Sequence, residues 1–252
     1  MLNPLVLYEN LWRDGEIIAC SSEHAQHPSE NTQDDSPQQY WRSLDASGTI
    51  TIDIDLGIAR EYDMISLRSH NLSSSATIQV IGADDDTFTT NPVTDALTHN
   101  SDNLTGILAA ARTKRYVRIS LADSTNGAGY LKVGTIVLGK GNALNRPAVV
   151  PDQDGYVNET EPEIAPSGVV FIVQESPSRE SKVLPFVGLD DNSKAIIKEL
   201  MRENAMTLGF LLCQDTDSPN SETMWARLVS LELPTRNSMG YWIFNMTIEA
   251  ML

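Results

Sequence analysis

The sequence predicts a mainly β protein in two modules, with one α-helix flanking the second. Three observations carry this. The run Thr49-Ile-Thr-Ile-Asp-Ile-Asp-Leu-Gly57 alternates with a period of two, placing Ile50, Ile52, Ile54 and Leu56 on one face and Thr49, Thr51, Asp53 and Asp55 on the other. Comparable alternation recurs in Met64–Ser69, Thr77–Gly82, Arg115–Leu121, Trp225–Leu233 and Tyr241–Ala250. Helical spacing appears clearly in one place, where Ile196, Ile197, Leu200 and Met201 share a face of a segment running from Lys194 to Asn204. Slipping the Thr49–Gly57 strand by one residue would bury two carboxylates, so its register is firmly set.

At 252 residues the chain is long enough for two ordinary modules, and 41% hydrophobic content suffices for packed cores. Lys plus Arg number 18 against 34 Asp plus Glu, a formal charge of −16. Such a surface repels nucleic acid and anionic lipid, and the longest basic run is only Lys114-Arg115. Cys20 and Cys213 are expected as free buried thiols in different modules, with a disulfide the lesser alternative. No basic leader precedes Leu5-Val-Leu7 and no apolar stretch has spanning length, so folding in a cytoplasm is expected, without membrane contact. The triplets at Asn71, Asn103, Asn158 and Asn245 are then not expected to carry glycans.

Along the chain, Leu5–Tyr8 is a short apolar start and Ile17–Cys20 a candidate strand, followed by a long polar loop from Ser21 to Gln39. Tyr40-Trp-Arg-Ser43 brings a large aromatic ahead of the alternating strand. A turn is expected between Gly57 and Met64, a charged turn at Ala83–Thr87, and little periodicity from Thr89 to Gly106. Leu131–Leu138 reads as a strand whose phase changes near Gly134, as a bulge would cause. The first module therefore spans residues 1–140. Pro147, Pro151, Pro162 and Pro166 mark 141–167 as an extended linker or arm, either a passive tether or a reach toward a neighbouring subunit. Residues 168–252 form the second module: an apolar strand at Val169–Val173, a polar loop from Pro177 to Pro185, the helix capped by Asn192 or Ser193, a strand at Thr207–Cys213, a polar loop at Asp215–Glu222, and two closing strands.

The order of Tyr40-Trp-Arg-Ser43, Ile54-Asp-Leu-Gly57, a strand ending in Ser69-His-Asn-Leu72, and later Tyr116-Val-Arg-Ile119 with Gly129-Tyr-Leu-Lys-Val-Gly134 resembles the discoidin-like (galactose-binding-like) jelly-roll sandwich. The second module, closing on Trp242-Ile-Phe-Asn-Met-Thr-Ile-Glu249, resembles the tail-tube-like ring domain of long-tailed bacteriophages, a β-sandwich or barrel with one flanking α-helix. Together they look like a siphovirus distal tail protein or tail-tip component, although in that family the ring domain normally comes first. The resemblance implies a structural subunit of a homo-oligomeric ring, six copies or three, joining tail tube to tail hub in the virion. Phage DNA would pass through it without specific binding. The alternative is an adhesin whose sandwich recognises host surface glycan.

Candidate chemistry is sparse. His24 and His27 with Glu23 lack a third ligand at metal spacing and read as a solvated loop. Asp84, Asp85 and Asp86 are candidate calcium ligands, though consecutive carboxylates rarely converge on one ion. Asp152-Gln-Asp-Gly155 begins like an EF-hand loop without its later ligands. Asp53 and Asp55, roughly 7 Å apart along a strand, are a carboxylate pair of the kind glycosidases use, but read first as a polar strand face. No nucleophile elbow or phosphate-cradling loop appears, so no enzyme and no cofactor is expected. Trp41, His70 and Asn71 are candidate glycan contacts; core packing is the first reading for Trp41 and loop-pinning for His70 and Asn71.

Overall fold

The computed structural model describes residues 3–36, 38–146, 153–157, 160–164, 170–174, 179–204, 207–231, 235–237 and 239–251, with backbone only between 153 and 180. The chain opens with β1 (Leu5–Leu7), a helical turn α1 (Leu11–Asp14) and β2 (Glu16–Cys20). There follow β3 (Trp41–Arg42), β4 (Thr49–Arg68), β5 (Thr77–Ala83), β6 (Val93–Leu97), β7 (Leu104–Ala122), β8 (Lys132–Val133), β9 (Thr135–Gly139) and β10 (Asn142–Ala143). Then come β11 (Gln153–Val157), β12 (Thr160–Ile164), β13 (Val170–Gln174), β14 (Arg179–Leu189) and α2 (Asp191–Asn204). The chain ends with β15 (Gly209–Cys213), α3 (Pro219–Glu222), β16 (Thr223–Leu231), β17 (Thr235–Arg236) and β18 (Trp242–Ala250). The fold class is mainly β and the strand pairs are antiparallel, as expected.

The first module is built on the long ribbon of β4 and β7. Its sheet runs β2-β4-β7-β5-β6 with β9 also on β4, and β3 pairs separately with β8. The turn expected between Gly57 and Met64 is instead continuous strand. Pairing persists through Arg60↔Lys114 and Tyr62↔Arg112, with register shifts on either side that bend the ribbon. Gly57 sits at the bend with φ +76°, a conformation that a side chain would strain. The first half of β4 buries Ile50, Ile52 and Ile54, as its alternation predicts, and the second half buries Ile65 and Leu67. These meet Val117, Ile119, Leu121, Ile136, Leu138 and Trp41 in one core.

Three further expectations for this module do not hold. The phase change near Gly134 is a change of partner and not a bulge: β8 pairs β3, while β9 pairs the far end of β4. The segment Thr89–Gly106 holds β6 and the start of β7, whose half-exposed positions alternate too weakly to be read. Asp53 also departs from the wet face assigned to it. It is 4% exposed, because Arg118 lies across it and under the Phe88 ring, 4.1 Å from the ring centroid.

The second sheet runs β10-β1-β15-β16-β18-β14-β11, with β17 on β18. The helix α2 packs Ile197 and Leu200 on it, with Ile196 and Met201 partly buried beside them. Its capping side chain is Asp190 rather than Asn192 or Ser193: the carboxylate accepts from the Ser193 amide at 2.8 Å. Where a polar loop was expected from Pro177 to Pro185, the structure has β14. Pro185 stands in this strand opposite Asn245 of β18, and among the described residues β11 pairs with β14 as far as Val183. The 141–167 segment is likewise no irregular tether, since it contributes β10, β11 and β12. β11 pairs with β14 at the edge of the second sheet, and β12 pairs with β13 as a separate two-stranded sheet. The EF-hand-like stretch begins at Asp152, outside the described residues, and Gln153–Gly155 lie in β11.

The modules are not independently packed. β1 belongs by sequence to the first module yet sits in the second sheet between β10 and β15. Its Leu7 packs with Met64 and Val137 from one side and Leu211, Cys213 and Trp225 from the other. Asp35 ties the same seam, accepting from the Gly209 amide and, through its carbonyl, from Trp225 Nε1, both at 2.9 Å. Three apolar residues at the chain start suffice to complete a sheet made elsewhere, which no local pattern announces.

Candidate functional site: an aromatic and cationic face on the sandwich

β3 and β8 make a two-stranded ribbon over one side of the core. Trp41 pairs with Val133 and both point inward, fully buried; Arg42 pairs with Lys132, and alternation puts Tyr40, Arg42, Tyr130 and Lys132 on the outward face. The Arg42 guanidinium stands 4.0 Å from the centroid of Tyr130, and Lys132 Nζ stands 4.7 Å from that of Tyr40. The ring of His27 stacks on Tyr40 at 4.3 Å and 11°. That loop is held by the Arg42 amide donating to the His27 carbonyl, and by the His24 amide donating to the Arg42 carbonyl. Among the described residues, neither Arg42 nor Lys132 is ion-paired to a carboxylate.

The sequence-predicted contacts take other places. Trp41 is entirely buried, its Nε1 donating to the Ser22 carbonyl at 3.2 Å, so its ring packs the core and offers no stacking surface. Asn71 is a clip: its amide donates to the Tyr130 carbonyl at 2.9 Å and accepts from the Lys132 amide at 2.7 Å. It therefore positions β8 from behind without facing a ligand. His70 is buried, with Nδ1 accepting from Leu72 and Nε2 without a partner, and desolvation pushes its pKa down to about 4. The Asn71 side chain is thus engaged with the strand beside it, and the His70 ring lies inside the loop.

The carboxylate candidates are spent on structure. Asp53 takes two bonds from Arg118 and Asp55 two from Arg115, all between 2.7 and 2.8 Å. The Arg115 hydrogen bonds hold the Asp55 carboxyl below the usual carboxylate range, which suits an ion pair and not a proton donor. Asp84 faces Lys114 and Asn91, and Asp85 turns back on Thr87, Thr89 and Thr90. Among the described residues no three His, Cys, Asp or Glu side chains gather as a metal site. Cys20 and Cys213 are free thiols, both pushed up in pKa by burial.

The Tyr40–Tyr130 face escaped the sequence reading because its parts lie ninety residues apart and meet only through the β3–β8 register. Tyr40 and Arg42 flanking a buried tryptophan was the local signal available.

No protein-family model matches the sequence, and no curated protein matches it. Among the solved structures that match it are carbohydrate-binding modules, each covering about half of this chain, and larger enzymes. Chitosan-binding module 1 from a chitosanase/glucanase of Paenibacillus sp. IK-5 is 20% identical, over 52% of this chain and 98% of that one, at a TM-score of 0.45. The module CpGH89CBM32-6 of Clostridium perfringens is 18% identical over 53% and 100%, at 0.40. A GH29 fucosidase of Ruminococcus gnavus is 16% identical over 53% of this chain and 27% of its own, at 0.43.

Proposed function

We propose that the chain is a non-catalytic glycan-binding protein, which holds its ligand on the outward face of β3 and β8. One observation carries the reading: two tyrosines, an arginine, a lysine and a histidine share that face, and the two long cations lack carboxylate partners in a chain of charge −16. Aromatic rims pack against the C–H faces of sugar rings, while guanidinium and ammonium groups donate to hydroxyls and ring carboxylates. The test is binding to a glycan array by the full chain and by Tyr130→Ala and Lys132→Ala. Binding that falls about tenfold in each variant supports the reading; array binding unchanged by both removes it.

A second reading is supported by a different observation and is compatible with the first: the chain is a ring subunit at the tip of a phage tail, assembled in the host cytoplasm and carried in the virion. β12 and β13 pair as a two-stranded sheet of their own, apart from the second sheet. Isolated two-stranded ribbons are at best marginal in water, so such an arm suits packing against a neighbouring copy, six or three to a ring, beside tail tube and hub proteins. An acidic lumen would let DNA slide past without capture. Light scattering with electron microscopy decides: a closed ring supports this reading, and a monomer at all concentrations rejects it.

A further inference from the structure

A cleft of about 510 Å³ lies where the two modules meet. Its walls come from the end of β4 (Arg68, Ser69), the approach to β7 (Asp102, Asn103), and the stretch from Gln214 through α3 into β16. The seam is fixed beside it by the Asn220 side chain, which accepts from the Thr105 amide at 2.7 Å. Arg68 is the unusual group. No described residue gives its guanidinium a hydrogen bond or an ion pair, and desolvation alone pushes its pKa down to about 10. Thr223 also lines the cleft, and its buried hydroxyl has no nitrogen or oxygen partner, only the Cys213 thiol beside it. A buried hydroxyl so poorly matched is costly, and a native site that keeps one beside an unpaired guanidinium points to an occupant.

The charges limit what that occupant is. Among the described residues the cleft carries Arg68 and Lys182 beside Asp102 and Glu222, charges of both signs, so neither a simple anion nor a simple cation is favoured. Hydroxyl groups meet no such conflict: they accept from guanidinium and amide N–H groups and donate to carboxylates. Asn103 and Gln214 add planar amides, which do both. We infer that the junction cleft is a binding site for a small neutral polyhydroxylated ligand of mono- to disaccharide size, with Arg68 as its central donor. The volume lies in the range of small-molecule sites. This site is separate from the β3–β8 face, and either can fail without the other.

The test is amide NMR on the full chain, titrated to millimolar concentration with lactose, maltose and chitobiose. The expected result is saturable shifts at Ser69, Asn103, Gln214 and Thr223 with at least one of the three. Arg68→Met weakens that binding about tenfold or more. So does Ser221→Trp, which fills the cleft from an exposed position and guards against misfolding of the first variant. The paired change Tyr40→Ala and Lys132→Ala leaves it intact. Shifts confined to the β3–β8 face, no shift with any of the three sugars, or equal affinity in Arg68→Met and Ser221→Trp would each overturn the inference.

Discussion

Removing Arg118 should cost the protein far more than removing the carboxylate it serves. Arg118 grips Asp53 through Nε and a terminal nitrogen, both at 2.7 Å. The environments of the partners differ: the Asp53 side chain is 6% exposed, whereas that of Arg118 is 28% exposed and lies along Phe88. In Arg118→Met the carboxylate remains inside without a counter-ion, and a broken pair of that kind costs about 3–5 kcal/mol. In Asp53→Asn the guanidinium still reaches water at its edge and the amide oxygen still accepts one bond, so about 1–2 kcal/mol is expected. The double variant should lie near Asp53→Asn, giving a coupling of about 3–5 kcal/mol, the whole cost of the broken pair. Urea unfolding followed by tryptophan fluorescence and far-ultraviolet circular dichroism reads all four proteins. Equal losses in the two single variants would refute the argument, since they would mean that the buried partner does not control the cost.

Three other outcomes follow from the geometry. A Cβ on Gly209 would lie 2.2 Å from the Trp225 ring, so Gly209→Ala should lower stability by about 2–3 kcal/mol by overpacking the seam, as read by thermal unfolding. Asn71→Ala removes both side-chain bonds that hold β8, and should cost about 2 kcal/mol in denaturant titrations while weakening any ligand held by Tyr130 and Lys132. His70 is kept neutral by burial, with its folded pKa near 4 below the ordinary 6.5. The unfolded chain thus binds the extra proton first, so the stability this histidine contributes is complete above pH 6.5 and drains away as pH falls toward 4. His70→Asn, which can still accept from Leu72, should flatten that part of the stability profile relative to the parent protein; an unchanged slope would show that other groups set it.

Much of the fold could be read from the residues because period-two alternation at Ile50, Ile52 and Ile54, and again at Phe244, Met246 and Ile248, is a local signal with one structural meaning. The helix face at Ile197 and Leu200 was equally plain. What escaped was set by distant partners. Nothing within Gly57–Met64 indicates that β7 will carry the pairing across the bend, and nothing near Pro185 indicates that it will stand inside a strand paired with β18. The site followed the same rule. Trp41, His70 and Asn71 attracted notice as residue types, but the register turned the indole inward and spent the amide on β8. Tyr130 and Lys132 gained their meaning only from Tyr40 and Arg42 across the ribbon.

The placement of β1 also dictates an order of events in the cell. Leu5–Leu7 is made ahead of its main-chain partners Leu211–Cys213, which follow roughly 200 residues later in the chain. An apolar triplet must wait for them without a mate, and contacts of such long range make folding slow. Until they close, the flank of β15 is an open template for stray strands, so trimming the first eight residues should turn a monodisperse product into an aggregating one.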